Sequence, residues 1–313
     1  MEQEKNWERQ ALEHLLLENL KESRKARRWK TILRILSLVL IVGFIFQVFD
    51  FRLPGSGLGL ERHTAMVSIE GEIAPNSLAN ALDIGSALQA AFENENSVGV
   101  ILRINSPGGS PVQSGIINDE IRRLRALYPD KPMHVVVEDI CASGGYYIAV
   151  AADQIVVDKA SIVGSIGVVM NGFGFTGLME KLGVSRRMIT AGSNKGMLDP
   201  FSKEDPKQVE MVQTMLDEIH QQFIAVVKTG RGDRLKGGEE LFSGRVWNGE
   251  QAVKLGLADS FGTVDSVARD MFKAPNVLDY TMKENFAERV AKRFGAEVGA
   301  AAGKAIVKSG DIK

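Results

Sequence analysis

Short apolar segments that alternate with amphipathic ones constrain the fold of this chain more than any other feature. Runs rich in β-branched residues at Ala65–Ile69, Val98–Ile104 and Met133–Val137 predict buried strands. The segments between them, Ala79–Glu93 and Pro111–Leu127, carry apolar residues at helical spacing. Strands that alternate with helices predict an α/β fold with a parallel sheet of βαβ units.

The same patterns predict further elements downstream. They are strands at Gln154–Asp158, Ile166–Met170 and Val184–Thr190, and helices at Glu204–Lys228, Gly249–Leu257 and Val264–Phe272. The whole chain divides into five predicted parts: a charged amphipathic segment (1–30), an apolar segment (31–49), a linker (50–64), a globular domain (65–273) and a helical or frayed tail (274–313).

The apolar segment 31–49 predicts a single transmembrane helix before the globular domain. Eighteen residues from Thr31 to Val48 would span roughly 27 Å as a helix, which matches the hydrocarbon core of a bilayer. No small-residue cleavage pattern follows, so we predict an uncleaved anchor rather than a signal peptide; a buried core helix is the alternative. The basic cluster within residues 21–30 predicts a cytosolic N-terminus.

Composition excludes several classes of function. The net charge of −1 gives no indication of nucleic-acid binding. A single cysteine, Cys141, excludes an internal disulfide and a cysteine-based zinc site. The four histidines are scattered without metal-ligand spacing, so we predict neither a metal nor a cofactor.

Ser143 and two glycines lie between the strand that begins at Met133 and an apolar, alanine-rich segment from Tyr147 to Ala152. This order predicts a strand-to-helix turn with a hydroxyl at a helix N-terminus, where free N–H groups can stabilise a developing negative charge. Serine is also a common N-cap, so this stretch alone leaves both interpretations open.

A second glycine turn follows the strand Val98–Ile104. Gly108 and Gly109 come after Pro107 and allow the backbone to turn sharply before the next helix. Unpaired N–H groups in such a turn can bind an anion or a carbonyl oxygen. An ordinary turn is the alternative, and without a Gly-Lys-Ser/Thr sequence a nucleotide P-loop is not supported.

A serine nucleophile needs a base, and Lys195 is the candidate. No histidine is well placed: His134 begins the strand that leads to Ser143, and His220 lies inside a predicted helix. Lys195 lies in a loop among small residues, where burial could keep its amine neutral. For a single loop lysine, a solvated surface charge is the alternative.

Together these stretches resemble the signal peptide peptidase A family of serine peptidases, in its short membrane-anchored form. The similarity covers about Ala65 to Phe272. It rests on four motifs in the family's order: Asn105-Ser106-Pro107-Gly108-Gly109-Ser110, Ala142-Ser143-Gly144-Gly145-Tyr146, Gly164-Ser165-Ile166-Gly167, and Lys195 followed by Asp199-Pro200-Phe201.

The resemblance implies a role for each matching residue. Ser143 would be the nucleophile, and Lys195 would be the general base and then the acid for the leaving amine. Ser165 would hydrogen-bond the lysine amine. The backbone N–H groups of Gly109 and Gly144 would form the oxyanion hole.

The resemblance also implies an architecture and a setting. The fold would be the βαβ spiral shared by the Clp protease and crotonase families, assembled into a homo-oligomeric ring. The substrates would be apolar peptides such as cleaved signal peptides. The chain would be anchored in the bilayer of the bacterial inner membrane through residues 31–49, with the catalytic domain on the periplasmic side.

Three alternatives remain. Cys141 could be the nucleophile in place of Ser143, although a buried strand-end side chain is the commoner role for such a cysteine. The same fold could belong to a crotonase-type acyl-CoA enzyme. The chain could also be a membrane-tethered scaffold without activity.

Overall fold

The computed structural model describes residues 29–41 and 61–282, which belong to two compact units. Residues 29–41 are helical with exposed apolar side chains. The rest of the predicted anchor (42–49), most of the linker, residues 1–28 and residues 283–313 lie outside the described residues. No helix within the two described ranges is long and apolar enough to cross a membrane.

The larger unit alternates strands and helices as the sequence predicts. Its strands are β1 (His63–Glu70), β2 (Ser97–Ser106), β3 (Met133–Ala142), β4 (Gln154–Val157), β5 (Ile162–Gly164), β6 (Val246–Asn248), β7 (Ser260–Phe261) and β8 (Val277–Asp279). Its helices are α1 (Ala81–Glu93), α2 (Pro111–Leu127), α3 (Gly144–Ala149), α4 (Thr176–Lys181), α5 (Pro206–Arg231), α6 (Gly249–Lys254) and α7 (Val264–Ser266), with a π-helical turn at Val267–Met271 and 3₁₀ turns at Gly232–Arg234 and Glu239–Phe242.

The strands form one mostly parallel sheet in the order β6-β5-β3-β2-β1-β8. Only the β5–β6 pair is antiparallel among the described strands. β3 pairs with two strands on one side: residues His134–Val136 pair with β4, and residues Ile140–Ala142 pair with β5. This topology confirms the predicted α/β fold of βαβ units.

Apolar side chains cover both faces of the sheet. The larger cluster joins the inner faces of α1, α2 and α3 to the strands, and Ile84, Leu88 and Ile117 are fully buried in it. A smaller cluster on Ile101 and Val136 packs against Phe272. Since both faces are covered, β1 to β3 are near-continuous apolar runs rather than alternating ones.

Two predicted strands are wrong. Residues 166–170 and 184–190 form no strand. Residues 166–170 cannot continue β5 because both strands beside it end at the level of Gly164, which pairs with Ala142 and with Val246. The chain therefore leaves the sheet after Gly164.

The edge of the sheet was not predicted. β8 pairs with β1 through Thr64, Ala65 and Met66. The sheet thus includes three residues beyond the boundary predicted at residue 273. β6, β7 and β8 have at most three residues each, too few for an apolar period to be recognised.

Candidate active site

Ser143 occupies the turn between β3 and α3, and its side chain is not a cap. Its φ of +52° lies in the left-handed region that non-glycine residues rarely adopt. Its hydroxyl makes no capping hydrogen bond. Ser110, at the start of α2, does cap its helix by accepting a hydrogen bond from the Gln113 N–H. The N-cap interpretation of Ser143 is therefore wrong, and its half-buried hydroxyl is free for another role.

Backbone hydrogen bonds hold Ser143 in this conformation. Its N–H donates to the Gly164 carbonyl at 2.8 Å, and its carbonyl accepts from the Tyr147 N–H at 2.9 Å. A non-glycine residue at positive φ costs about 1–3 kcal/mol and persists only where the surroundings fix it. The strand β5 and the helix α3 together supply those constraints.

The predicted glycine loop packs directly against the Ser143 turn. A Cβ at Gly108 would lie 2.7 Å from both the Ser143 Cβ and the Gly144 nitrogen. A Cβ at Gly109 would lie 2.1 Å from the Ile73 carbonyl oxygen. Because no side chain fits at either position, the two glycines are needed for this close approach.

Two free amides border the Ser143 hydroxyl. In the part of the chain that the structure describes, neither the Gly109 N–H nor the Gly144 N–H has a hydrogen-bond acceptor. A Cβ at Gly144 would lie 3.3 Å from the Gly109 nitrogen, so the two amides border the same space. Paired, unsatisfied N–H groups beside a hydroxyl are the arrangement that stabilises an oxyanion.

Ser165 lies at the end of β5 with a φ of +53°. Its N–H donates to the Arg245 carbonyl at 2.8 Å. The side chain is half-buried and lines the same cavity as Ser143. The structure thus brings Ser143, Ser165, Gly109 and Gly144 together around one cavity of about 520 Å³.

Helix α5 forms another wall of this cavity, which sequence analysis missed. Its lining residues follow a helical period and comprise Gln213, Leu216, Asp217, Ile219, His220, Gln222 and Phe223. Phe223 is buried against the Tyr147 ring at 5.1 Å, which anchors the helix beside α3. The sequence predicts a helix at Glu204–Lys228 but not that polar residues of this helix reach the cavity.

His220 links α5 to the loop that carries Ser165. Its Nε2 donates to the Ile166 carbonyl oxygen at 3.1 Å, and the same oxygen accepts from the Gly244 N–H at 3.1 Å. This hydrogen bond requires the proton on Nε2. His220 therefore fixes the backbone immediately after Ser165, as a positioning residue.

Replacing His220 with phenylalanine is expected to lower kcat/KM for peptide hydrolysis about tenfold, because one buried carbonyl loses a hydrogen bond and the Ser165 loop loses its support. Glutamine carries an amide nitrogen at a similar reach to Nε2, can donate the same kind of bond and is expected to restore most of the loss. The rates of His220→Phe and His220→Gln, measured on one peptide series, check this. Equal rates for both variants would remove the positioning role.

The structure does not bring Lys195 to the cavity. Lys195 lies in an exposed turn, and its backbone N–H donates to the Gly192 carbonyl at 3.1 Å. Within residues 61–282 its amine makes no hydrogen bond with Ser143 or Ser165, and it is not among the cavity residues. Its role as base, and the bond from Ser165, stay predictions.

Cys141 does not suit the role of nucleophile. Its thiol is fully buried, and burial raises the pKa of this thiol far above its usual value. A thiol that remains protonated is a poor nucleophile. His134 also lies away from the cavity, where it packs against Phe272 at 4.8 Å, and burial lowers its pKa.

No cluster of three or more metal-ligating side chains occurs among the described residues. The described residues that line the cavity with Ser143 include other serines and apolar side chains, and Asp217 and His220 are the common metal ligands among them.

Comparison with known proteins identifies the family of this chain. Residues 125–278, which include Ser143, Ser165 and Lys195, match the model of peptidase family S49. A protein of Synechocystis named as a protease is 33% identical over 201 residues, which cover 64% of this chain and 69% of that protein. The chain belongs to peptidase family S49. The prediction of a serine peptidase family is thereby confirmed.

Two further relatives differ in how much of their length is matched. A protein of Enterococcus faecium named as a signal peptide peptidase SppA is 33% identical over 197 residues, 63% of this chain and 57% of that protein. A Brucella abortus protein named as the Na⁺/H⁺ antiporter NhaA is 43% identical over 225 residues, 70% of this chain but 30% of that protein. The chain thus spans about a third to somewhat over half the length of these two relatives.

Proposed function

We propose that this protein is a membrane-anchored serine endopeptidase that cleaves apolar peptides through an acyl-enzyme. The observation that carries the proposal is the uncapped Ser143 hydroxyl at positive φ, beside the two unpaired amides of Gly109 and Gly144. Membership of a serine peptidase family supports this choice of chemistry.

The geometry supports a sequence of steps for peptide hydrolysis. Ser143 Oγ attacks the scissile carbonyl carbon while its proton passes to the base. The carbonyl oxygen becomes an oxyanion that accepts hydrogen bonds from Gly109 and Gly144, each worth about 10²–10³-fold in rate. The base then protonates the leaving amine, and water hydrolyses the remaining Ser143 ester.

Lys195 is the base in this proposal, and it becomes able to act as the base when several copies of the chain assemble. Many large apolar side chains between residues 169 and 201 are exposed, and Ile189 is fully exposed. Such a surface favours contact with another protein surface. A homo-oligomeric ring that covers this segment would also remove water from the loop that carries Lys195, with Ser165 available to bond its amine.

An extended peptide can bind by adding a strand next to the active site. Among the described residues, no strand pairs with the chain after Gly164 on either side, which leaves backbone groups near Val168 and Val169 at the cavity. Strand addition there would supply main-chain hydrogen bonds, and the apolar residues of α5 would contact the side chains. Released signal peptides have the required apolar character.

The setting of the enzyme follows from its N-terminal segment. Residues 31–49 would anchor the chain in the bacterial inner membrane, with the N-terminus in the cytosol and the catalytic domain on the periplasmic side. Apolar peptides concentrate at this membrane surface, so the anchor would hold the enzyme near its substrates.

The direct test is covalent labelling of the full chain in detergent micelles. A fluorophosphonate is expected to attach to Ser143 alone, as located by peptide mass mapping, and to block hydrolysis of a quenched apolar peptide. A label on Cys141, or hydrolysis of acyl-CoA thioesters without peptide hydrolysis, would contradict the proposal.

A further inference from the structure

The cavity beside Ser143 contains one carboxylate among its lining residues. Asp217 lies on α5 close to His220 and is exposed to solvent at the cavity, and no lysine or arginine lines the cavity among the described residues. Gln213 Nε2 donates a hydrogen bond to Asp217 Oδ1 at 2.7 Å, which restrains the carboxylate. Within residues 61–282 Asp217 forms no ion pair. Such a carboxylate attracts a positively charged ligand group.

Apolar side chains line the same cavity as this carboxylate. Ile219 and Phe223 follow Asp217 by two and six residues, so they lie on a different face of α5 from the carboxylate. A lysine or arginine side chain can contact both kinds of group. Its methylene groups can lie on apolar surface while its charged end contacts a polar group.

We propose that Asp217 selects peptides in which a lysine or arginine adjoins an apolar run at the cleavage site. This inference rests on the proposed peptidase activity of Ser143 and specifies its substrate class. A signal peptide joins a positively charged segment to an apolar one, so its junction offers both groups that the cavity binds. A uniformly apolar peptide would leave the Asp217 carboxylate without a partner when binding excludes water.

The test uses quenched peptides that are identical except for one residue beside an apolar run: lysine, leucine or glutamate. Hydrolysis is measured with the full chain in detergent micelles at low and high salt. We expect kcat/KM for the lysine peptide to exceed that for the glutamate peptide at least about tenfold at low salt, and less at high salt. The variant Asp217→Asn is expected to reduce this ratio to within about twofold of unity.

Glu218 provides a matched control, since it is the next residue of α5 and is exposed like Asp217 but does not line the cavity. Glu218→Gln should keep the wild-type ratio. Equal rates for lysine and glutamate peptides, or a ratio that Asp217→Asn leaves unchanged, would overturn the inference. If no peptide is cleaved, the proposed peptidase activity fails, and anisotropy binding of the same peptides to Ser143→Ala with and without Asp217→Asn still decides the role of Asp217.

Discussion

Replacing Ser143 with alanine is expected to lower kcat/KM for peptide hydrolysis by at least about 10⁴-fold, because the substitution removes the hydroxyl that would form the acyl-enzyme beside the two free amides. Lys195→Ala is expected to cause a loss of similar size. A nucleophile and its base act as a unit, so Ser143→Ala/Lys195→Ala should be no less active than either single variant. Initial rates on one quenched peptide, with the full chain in detergent micelles, provide the measurement.

Lys203 is the matched control for Lys195. It is exposed in the same part of the chain and is not in the family motif. Lys203→Ala is expected to retain the wild-type rate within about twofold, as is usual for a surface substitution. Lys195→Ala with an unchanged rate would show that another group is the base, and the oligomeric state of that variant, measured by light scattering, would show whether assembly had been altered.

The first half of the globular domain could be predicted because every element has a clear period. The helix predicted at Pro111–Leu127 has the same bounds in the structure, and each of the first three strands was found with its neighbours. Some apolar side chains within these elements are nevertheless not buried. Leu82 and Ile116 fit the helical spacing of α1 and α2 but are exposed, because the helices bury a narrower face than the pattern indicates.

The segment from residue 167 to residue 201 was harder to predict because none of its apolar residues is buried in the core of the domain. Val169 is 77% exposed and Ile189 is fully exposed, although both were assigned to strands. An apolar pattern shows that a residue avoids water and not which surface covers it. Lys195 lies in this same segment, so the contacts that would place its amine cannot be read from one chain.

The sequence predicts those residues of the candidate site that follow strands of the sheet, but not those that reach the cavity through packing of a helix. Ser143, Ser165 and Gly109 follow the carboxyl ends of three parallel strands, and such ends meet at one edge of the sheet. His220 and Asp217 reach the cavity only because α5 packs across that edge. Asp217 and His220 are three residues apart and therefore share one face of α5. This spacing was a signal in the sequence that the two side chains lie together.

A buried ion pair joins the end of α5 to the residue before β7. Arg231 is 2% exposed, and two of its nitrogens each donate to an Asp259 oxygen at 2.8 Å. Its Nε donates to the Gly256 carbonyl at 2.8 Å, and Asp259 also accepts from the Ile155 N–H at 2.7 Å. Burial alone would raise the pKa of Asp259, but hydrogen bonds from Arg231 and Ile155, with the positive charges of Arg231 and Arg234, lower it overall.

Arg231→Met is therefore expected to destabilise the domain by up to about 3–5 kcal/mol, because the substitution leaves the Asp259 carboxylate with only the longer ion pair to Arg234, at 3.4 Å. Arg231→Met/Asp259→Leu should recover part of this loss, since neither charge then remains buried. Urea unfolding of the full chain in detergent micelles gives the midpoints.

The pH dependence of these midpoints distinguishes a lost ion pair from a packing defect. The folded pKa of Asp259 is lowered, so the pair stabilises the wild type fully above the unfolded pKa of about 3.9 and loses this contribution as pH falls through the folded value. The difference in urea midpoint between the wild type and Arg231→Met should therefore become smaller in acid. Arg269→Met, which removes an exposed partner of Asp270, is the control and is expected to leave the urea midpoint unchanged. If Arg231→Met and Arg269→Met lower the midpoint equally, the Arg231–Asp259 pair does not stabilise the fold. The same conclusion follows if the difference between the wild type and Arg231→Met does not depend on pH.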